Sequence, residues 1–274
     1  MTSFALSSTT SPVAAPPRLL SNLGANSGQF SCRRRVFARG ASTSGAPRFR
    51  RCRPRLVWRD NSQCICADCV KSWTVALPES LHIPPELALA RRVEELPEPD
   101  ALPGGCLYSP KWDGFRFAIV LAGELASVWS RQGKNLTRYF PELAAAAAEL
   151  PDGTVLDGEA VIWREGRLDF AAMQHRLSGG AAIAARRARE LPSSFAAFDV
   201  LAVAGTDVRH LALEHRQSLL EELAAQWQPP MNISPVTRDV DEAREWFETM
   251  PAVGVEGIIV KAAASGYEGG KREW

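Results

Sequence analysis

Pro110-Lys111-Trp112-Asp113-Gly114-Phe115-Arg116 is the stretch on which the reading of this 274-residue chain turns. It sets a lysine, a carboxylate and a guanidinium around one glycine, directly ahead of an apolar run. A Lys-x-Asp-Gly quartet alone recurs by chance, and a lysine before a turn is ordinarily a solvated charge. The full seven-residue string is far more specific. After it come 115–121, the turn signal Ala122-Gly123-Glu124, and 125–130, which together read as a β-hairpin.

Outward from the hairpin, segments of strand and helix texture alternate with short Gly/Pro punctuation. Residues 141–150 read as an Ala-rich helix closed by Pro151-Asp152-Gly153, and 154–163 as a strand. Residues 169–177 and 181–190 read as helices, and 194–204 as a strand. Helices are expected over 214–227, where Leu219, Leu220 and Leu223 share a face, and over 241–250, with a last strand over 255–261. Hairpin-joined strands mixed with helices predict an α+β domain of antiparallel sheets flanked by helices, not a parallel βαβ array. This texture begins at Leu77, so 77–274 is expected to be the folded domain.

Composition is that of an ordinary globular protein, 46% hydrophobic and 23% charged. No apolar stretch reaches the ~18 to 20 residues a membrane-spanning helix needs, so no membrane partner is expected. The net charge of +1 conceals an asymmetry. Residues 1–60 hold eleven arginines and one acid; taking these from 32 basic and 31 acidic residues leaves 21 and 30, a balance of −9 for 61–274. A protein that clamps duplex DNA normally presents a basic footprint. Either local basic patches suffice here, or DNA grip belongs to another part of the protein.

Residues 1–60, rich in Ser, Ala, Pro, Gly and Arg, lack apolar periodicity, and 1–76 is expected to be a disordered extension. An upstream extension from a misassigned start is the favoured reading. A transit peptide and a basic nucleic-acid-binding tail are the alternatives. A cytoplasmic bacterial location is expected, with organellar targeting by 1–60 as the alternative. Cys64, Cys66 and Cys69 form a C-x-C-x2-C cluster, three thiolates that zinc accepts; without paired C-x2-C spacing they read as ordinary free thiols. Cys106 stands alone farther on, which argues against a disulfide framework.

Further ordered motifs follow the first: Ser130-Arg131-Gln132-Gly133 with Phe140-Pro141-Glu142-Leu143, Leu156-Asp157-Gly158-Glu159, Phe198-Asp199-Val200-Leu201, and Val255-Glu256-Gly257-Ile258-Ile259-Val260-Lys261. Together with 110–116 they resemble, in order and spacing, the motifs of ATP-dependent DNA ligases of the bacterial and archaeal type, members of the covalent nucleotidyltransferase superfamily. The resemblance covers roughly 84–274 and implies a nucleotidyltransferase (ATP-grasp-like) fold, with ATP as AMP donor, Mg2+ as metal and nicked double-stranded DNA as partner, the chain acting as a monomer. It implies that Lys111 attacks the α-phosphate of ATP to give lysyl–AMP, that AMP then passes to the 5′-phosphate at a nick, and that the 3′-hydroxyl displaces it.

By the same resemblance Lys111, Asp113, Arg116, Arg131, Glu159, Phe198 and Lys261 bind ATP, Phe198 stacks on adenine, and Glu159 and Glu256 hold the metal. The chemistry is coherent with these residue types. A lysine amine is protonated at neutral pH, with an ordinary pKa of about 10.4, so a pocket that activates one must favour the neutral form; neighbouring cations such as Lys261 do so. The guanidinium forks of Arg116 and Arg131 suit a ribose or a phosphate. On a strand over 154–163, Asp157 and Glu159 share a face, although a carboxylate at a strand start is as readily a turn residue. Glu256 and Lys261 have opposite parity on an ideal strand; twist, a bulge at Gly257 or a strand ending before Lys261 would bring them together. His82, His175, His210 and His215 show no ligand or triad spacing.

Two departures from the family pattern stand out. Ser109 occupies the place where these ligases usually carry a glutamate that reads the adenine amino group, which predicts reduced adenine selectivity. Gly269-Gly270-Lys271-Arg272-Glu273-Trp274 resembles the approach to a fifth motif, whose lysines, and the OB-fold after them, are expected to be missing in cis, leaving ligation by this chain weak. An inactive nucleotide- or nucleic-acid-binding remnant and an RNA ligase or capping-type nucleotidyltransferase are the competing readings.

Overall fold

The computed structural model describes residues 56–59, 63–66 and 75–271, the first two stretches as backbone only. Within the segment read as an extension, β1 (Leu56–Arg59) pairs antiparallel with β2 (Gln63–Cys66). The thiols of Cys64, Cys66 and Cys69, and with them the zinc reading, lie outside the described side chains. No described helix is long and apolar enough to cross a membrane.

The main sheet is built from β4 (Phe115–Ala122), β5 (Leu125–Ser130), β6 (Thr154–Val161), β9 (Ser194–Val203), β10 (Thr206–Asp207) and β11 (Met231–Ile233), in the order β10-β9-β6-β4-β5, with β11 also pairing β9 on the edge opposite β6. All its pairs are antiparallel except β11 with β9. The apolar runs of β4 and β9 are continuous because both faces of this sheet are covered. Phe117, Ile119 and Leu121 enter one core cluster while Ala118 and Val120 enter the other, the split a two-residue period dictates. The first cluster also takes Leu143 of α1 (Pro141–Ala147), Met173 of α2 (Phe170–Arg176) and Leu220 of α4 (Leu213–Ala224).

A second, two-stranded sheet joins β3 (Cys106–Lys111) to β12 (Gly257–Ala262), antiparallel, with Gly257 opposite Lys111 and Ile259 opposite Ser109. Helix α5 (Val240–Thr249) packs against it through Ala243, which shares a cluster with Cys106 and Tyr108. Helix α3 (Ala181–Glu190), a small hairpin of β7 (Trp163–Arg164) and β8 (Arg167–Leu168), and 3-10 turns at Thr137–Tyr139 and Met250–Val253 complete the described elements.

The α+β reading holds, and the hairpin falls where Ala122-Gly123-Glu124 predicted it. Corrections sit mainly at element ends. The strand over 154–163 stops at Val161 and resumes as β7; the helix over 141–150 ends at Ala147; that over 214–227 becomes Leu213–Ala224. Asp169 lies outside α2 as its N-cap, its carboxylate accepting from the Ala172 N–H at 2.8 Å. Strand β3 was not anticipated at all, because Cys106-Leu-Tyr-Ser-Pro-Lys111 contains a proline; Pro110 sits opposite Ile258 in the two-stranded sheet, where one edge needs no donor.

Candidate active site

Strand β3 ends at Lys111, the turn Trp112-Asp113-Gly114 follows, and β4 departs at Phe115. Two contacts fix this turn. The Trp112 indole N–H donates to Ser234 Oγ at 2.9 Å, and its ring packs against the cluster of Trp246, Met250 and Val255. Gly114 passes so close to β6 that a Cβ there would lie 2.2 Å from the Ala160 carbonyl oxygen. Gly114→Ala is therefore expected to push the lysine-bearing turn off the sheet, costing on the order of 1–3 kcal/mol. Thermal denaturation with and without nucleotide checks this: the substitution should lower the melting temperature and remove any shift that ATP produces in the parent.

The main sheet and the two-stranded sheet together bound an open cavity of about 490 Å³. Lys111, Asp113, Arg116, Arg131, Glu159, Phe198, Glu256 and Lys261, the eight predicted site residues, all line it. They come from β3 and its turn, β4, the end of β5, β6, β9, and β12 with the residue before it. The parity problem at 256–261 has a definite answer. Glu256 lies before the strand, its N–H donating to the Lys111 carbonyl at 2.8 Å, and Gly257 turns the chain at φ +156°. The strand itself runs through Lys261 in regular register, so neither a bulge nor an early ending is needed.

Lys111 and Glu256 form an ion pair, both about half exposed at the cavity mouth. Deeper in, Phe198 meets two cations: the Lys261 ammonium lies 4.6 Å and the Arg116 guanidinium 5.2 Å from its ring centroid. Glu159 is the carboxylate burial perturbs most usefully. Desolvation, reinforced by the charges of Asp157 and Asp113 and opposed by Arg116 and Lys111, pushes its pKa up to about 8. Burial acts on Lys261 in the opposite direction, bringing it down to about 8 against the pull of Asp199 and Asp157. Ser109 is also on the wall, its hydroxyl donating to the Ile259 carbonyl at 3.5 Å.

A second tier of groups, mostly missed in the sequence, holds these in place. Asp157 does not line the cavity; it is fully buried and receives Nε and Nη2 of Arg116 at 3.0 and 2.7 Å. The Tyr267 hydroxyl donates to the same carboxylate at 2.6 Å and accepts from the Ala88 N–H at 3.1 Å. Burial alone would lower the Arg116 pKa, but the charge and hydrogen bonds of Asp157 more than offset it and raise it. Asp199, equally buried, binds Nε and Nη2 of Arg216 at 2.8 and 3.1 Å and stands 3.9 Å from the Lys261 ammonium. Thus Arg116 is aimed by Asp157, and Lys261 faces Asp199 across a buried pair. A carboxylate next to Phe198 inside a ten-residue apolar strand was the available sign that a buried cation must meet it. That the cation comes from α4 was not readable.

With this geometry in view, the likeness to known proteins is specific. The model of the ATP dependent DNA ligase domain matches residues 88–274. The chain belongs to the ATP-dependent DNA ligase family. It is 40% identical over 172 residues to DNA ligase C2 of Mycolicibacterium smegmatis, covering 62% of this chain and 49% of that one. To DNA ligase C of Mycobacterium tuberculosis it is 36% identical over 177 residues, 63% of this chain and 49% of the relative. Among solved structures, the ligase domain of M. tuberculosis LigD superposes with a TM-score of 0.55 at 26% identity, over 68% of this chain and 57% of that one. A mycobacterial DNA ligase D complexed with ATP and MES gives 0.54 at 28% identity over the same shares. This ligase-family chain spans about half the length of the curated relatives it matches.

Proposed function

We propose that this chain carries the adenylylation centre of an ATP-dependent DNA ligase, with Lys111 as the nucleophile. The observation that supports the reading most strongly is the convergence of eight side chains, drawn from five separate motifs between 111 and 261, on one cavity. The Lys111 amine attacks the α-phosphorus of ATP; a nitrogen–phosphorus bond forms, the bond to the bridging oxygen breaks, and pyrophosphate leaves while the amine's protons pass to solvent. Lys261 and Arg116 neutralise the phosphate, and Phe198 supplies a flat apolar face for adenine. Asp113 and Arg131, which also line the cavity, complete the nucleotide-binding set.

Mg2+ fits the donor set. No group of three or more metal-ligating side chains exists among the described residues, but Mg2+ ordinarily takes one or two carboxylates and fills its shell with water and phosphate oxygens. Glu159, whose buried carboxylate stands beside two further acids, and Glu256 would hold it. When bound it neutralises charge on the triphosphate. Glu256 also pairs with Lys111, so the same carboxylate would serve both the amine and the metal.

In the remaining steps AMP passes to the 5′-phosphate of a nick in double-stranded DNA and the 3′-hydroxyl displaces it. The chain acts as a monomer. The balance of −9 over 61–274 argues that the 274-residue polypeptide seals nicks slowly, because duplex grip depends on basic contacts. ATP labelled on the α-phosphate tests the first step. A protein band that carries this label through denaturation, takes none from γ-labelled ATP, and disappears in Lys111→Ala is the expected result. Absence of any band from the parent protein supports an inactive nucleotide-binding remnant instead.

A further inference from the structure

The acidic balance of 61–274 is not spread evenly. Residues 125–141 and 170–189 contain seven basic residues and not one acid. The two stretches meet in space: the turn Thr137–Tyr139 packs against α3, and α3 packs against α2. Two of the seven are spent inside the fold. Arg176 is fully buried on Glu142, and Arg187 folds back to the carbonyl of His175 at 2.7 Å. The other five, Arg131, Lys134, Arg138, Arg186 and Arg189, are exposed.

Arg164, Arg209, Arg238, Arg244 and Lys271 are each held by a carboxylate. Among the described residues no ion pair engages Arg131, Lys134, Arg138 or Arg189, and Arg186 has only the Glu190 partner one turn along α3, at 3.5 Å. Exposed Arg91, Arg92 and Arg167 likewise have no ion pair among the described residues, but five unpaired or weakly paired cations gathered on two touching segments occur only in this strip among the described residues. The strip begins at the reaction cavity, since Arg131, Gln132 and Phe170 line its rim. It then runs outward through Lys134 and Arg138 to α3, a ten-residue helix about 15 Å long. Unneutralised cations in a row, leading away from the cavity of an otherwise acidic domain, match a polyanion with regularly spaced charges.

We infer that Lys134, Arg138, Arg186 and Arg189 form a phosphate-tracking surface that grips duplex DNA beside the nick presented to Lys111. The inference rests on the ligase reading for the identity of the polyanion, but its test does not depend on catalysis. The full 274-residue chain is titrated, without ATP, into a fluorescently labelled nicked duplex carrying a 5′-phosphate, and anisotropy is read at several salt concentrations. Each phosphate contact contributes about 0.9 to the slope of log affinity against log salt. Replacing the four residues by alanine should flatten the slope by about 2 to 4 and weaken binding at least about tenfold near 0.1 M salt. Lysyl–AMP labelling should be unchanged, and R138K/R186K/R189K should bind like the parent.

Equal slopes for parent and alanine variant overturn the inference, as does a parent that binds no nicked duplex. A loss shared by the lysine variant assigns the residues to packing, which also overturns it. Duplex RNA or anionic lipid vesicles competing as well as nicked DNA would show a general polyanion surface and contradict the choice of partner. A parent with the predicted slope difference but no lysyl–AMP sinks the reaction and leaves the surface standing.

Discussion

Asp199→Ala is expected to lower stability by about 3–5 kcal/mol, because it strands the charge of Arg216 in an interior that gives that side chain no solvent exposure. Against the ~5–15 kcal/mol by which a domain is stable, such a loss approaches unfolding. At about 2–4 °C per kcal/mol for a domain of this size, the melting temperature should fall by on the order of 10 °C. The Leu211 and Ser265 carbonyls, which accept from Arg216 Nη1 at 2.5 and 3.0 Å, cannot replace a carboxylate. The apolar double substitution D199L/R216M should recover much of the stability, since removing both partners leaves no unpaired charge. It should not recover lysyl–AMP formation: Lys261 would have lost the carboxylate that favours its charged form. A double variant that is stable and fully active would show that the pair serves the fold alone.

Glu159→Gln should raise stability at alkaline pH while severely slowing the reaction. With its pKa raised from 4.5 to about 8, Glu159 stays protonated in the folded chain over a range in which the unfolded chain has released the proton. Its contribution is therefore fully present below about 4.5 and lost as pH rises through about 8. Lys261, brought down from 10.5 to about 8, contributes in the reverse sense: stability present above 10.5 is lost as pH falls through about 8. Glutamine cannot ionise. Thermal melts without ATP or metal should show E159Q more stable than the parent near pH 9, with the gap closing toward about pH 5. Its lysyl–AMP formation should fall at least about a hundredfold, because a neutral amide neither holds a metal nor answers the cations of the cavity. This pairing of greater stability with lost activity is what a charge kept at a cost for function produces. A melting difference that ignores pH would refute the assignment.

Much of this architecture was readable from residue types. The hairpin at 115–130 declared itself by two apolar runs around Ala122-Gly123-Glu124, and Lys111 by the resemblance of the 110–116 string to the ligase motif. The eight candidate residues were named from motif order, and the cavity contains all of them. What escaped was long-range and buried. The residue pattern leaves Asp157 open between a carboxylate sharing a face with Glu159 and a turn residue; in the fold it is consumed by Arg116 and Tyr267. Strand periodicity reports a side, not whether a partner from a distant segment has already claimed the group. Likewise Glu256 and Lys261 appeared incompatible only on the assumption of one continuous strand. Backbone geometry at Gly257 decides that point, and a sequence does not display φ.

The most direct test of the central claim is peptide mapping by mass spectrometry after incubation with ATP and Mg2+. AMP should be found on the peptide containing Lys111, in a linkage that acid cleaves as expected for a phosphoramidate, and on no other lysine. AMP on Lys261, or no modified lysine in a folded protein that binds ATP, would contradict the account.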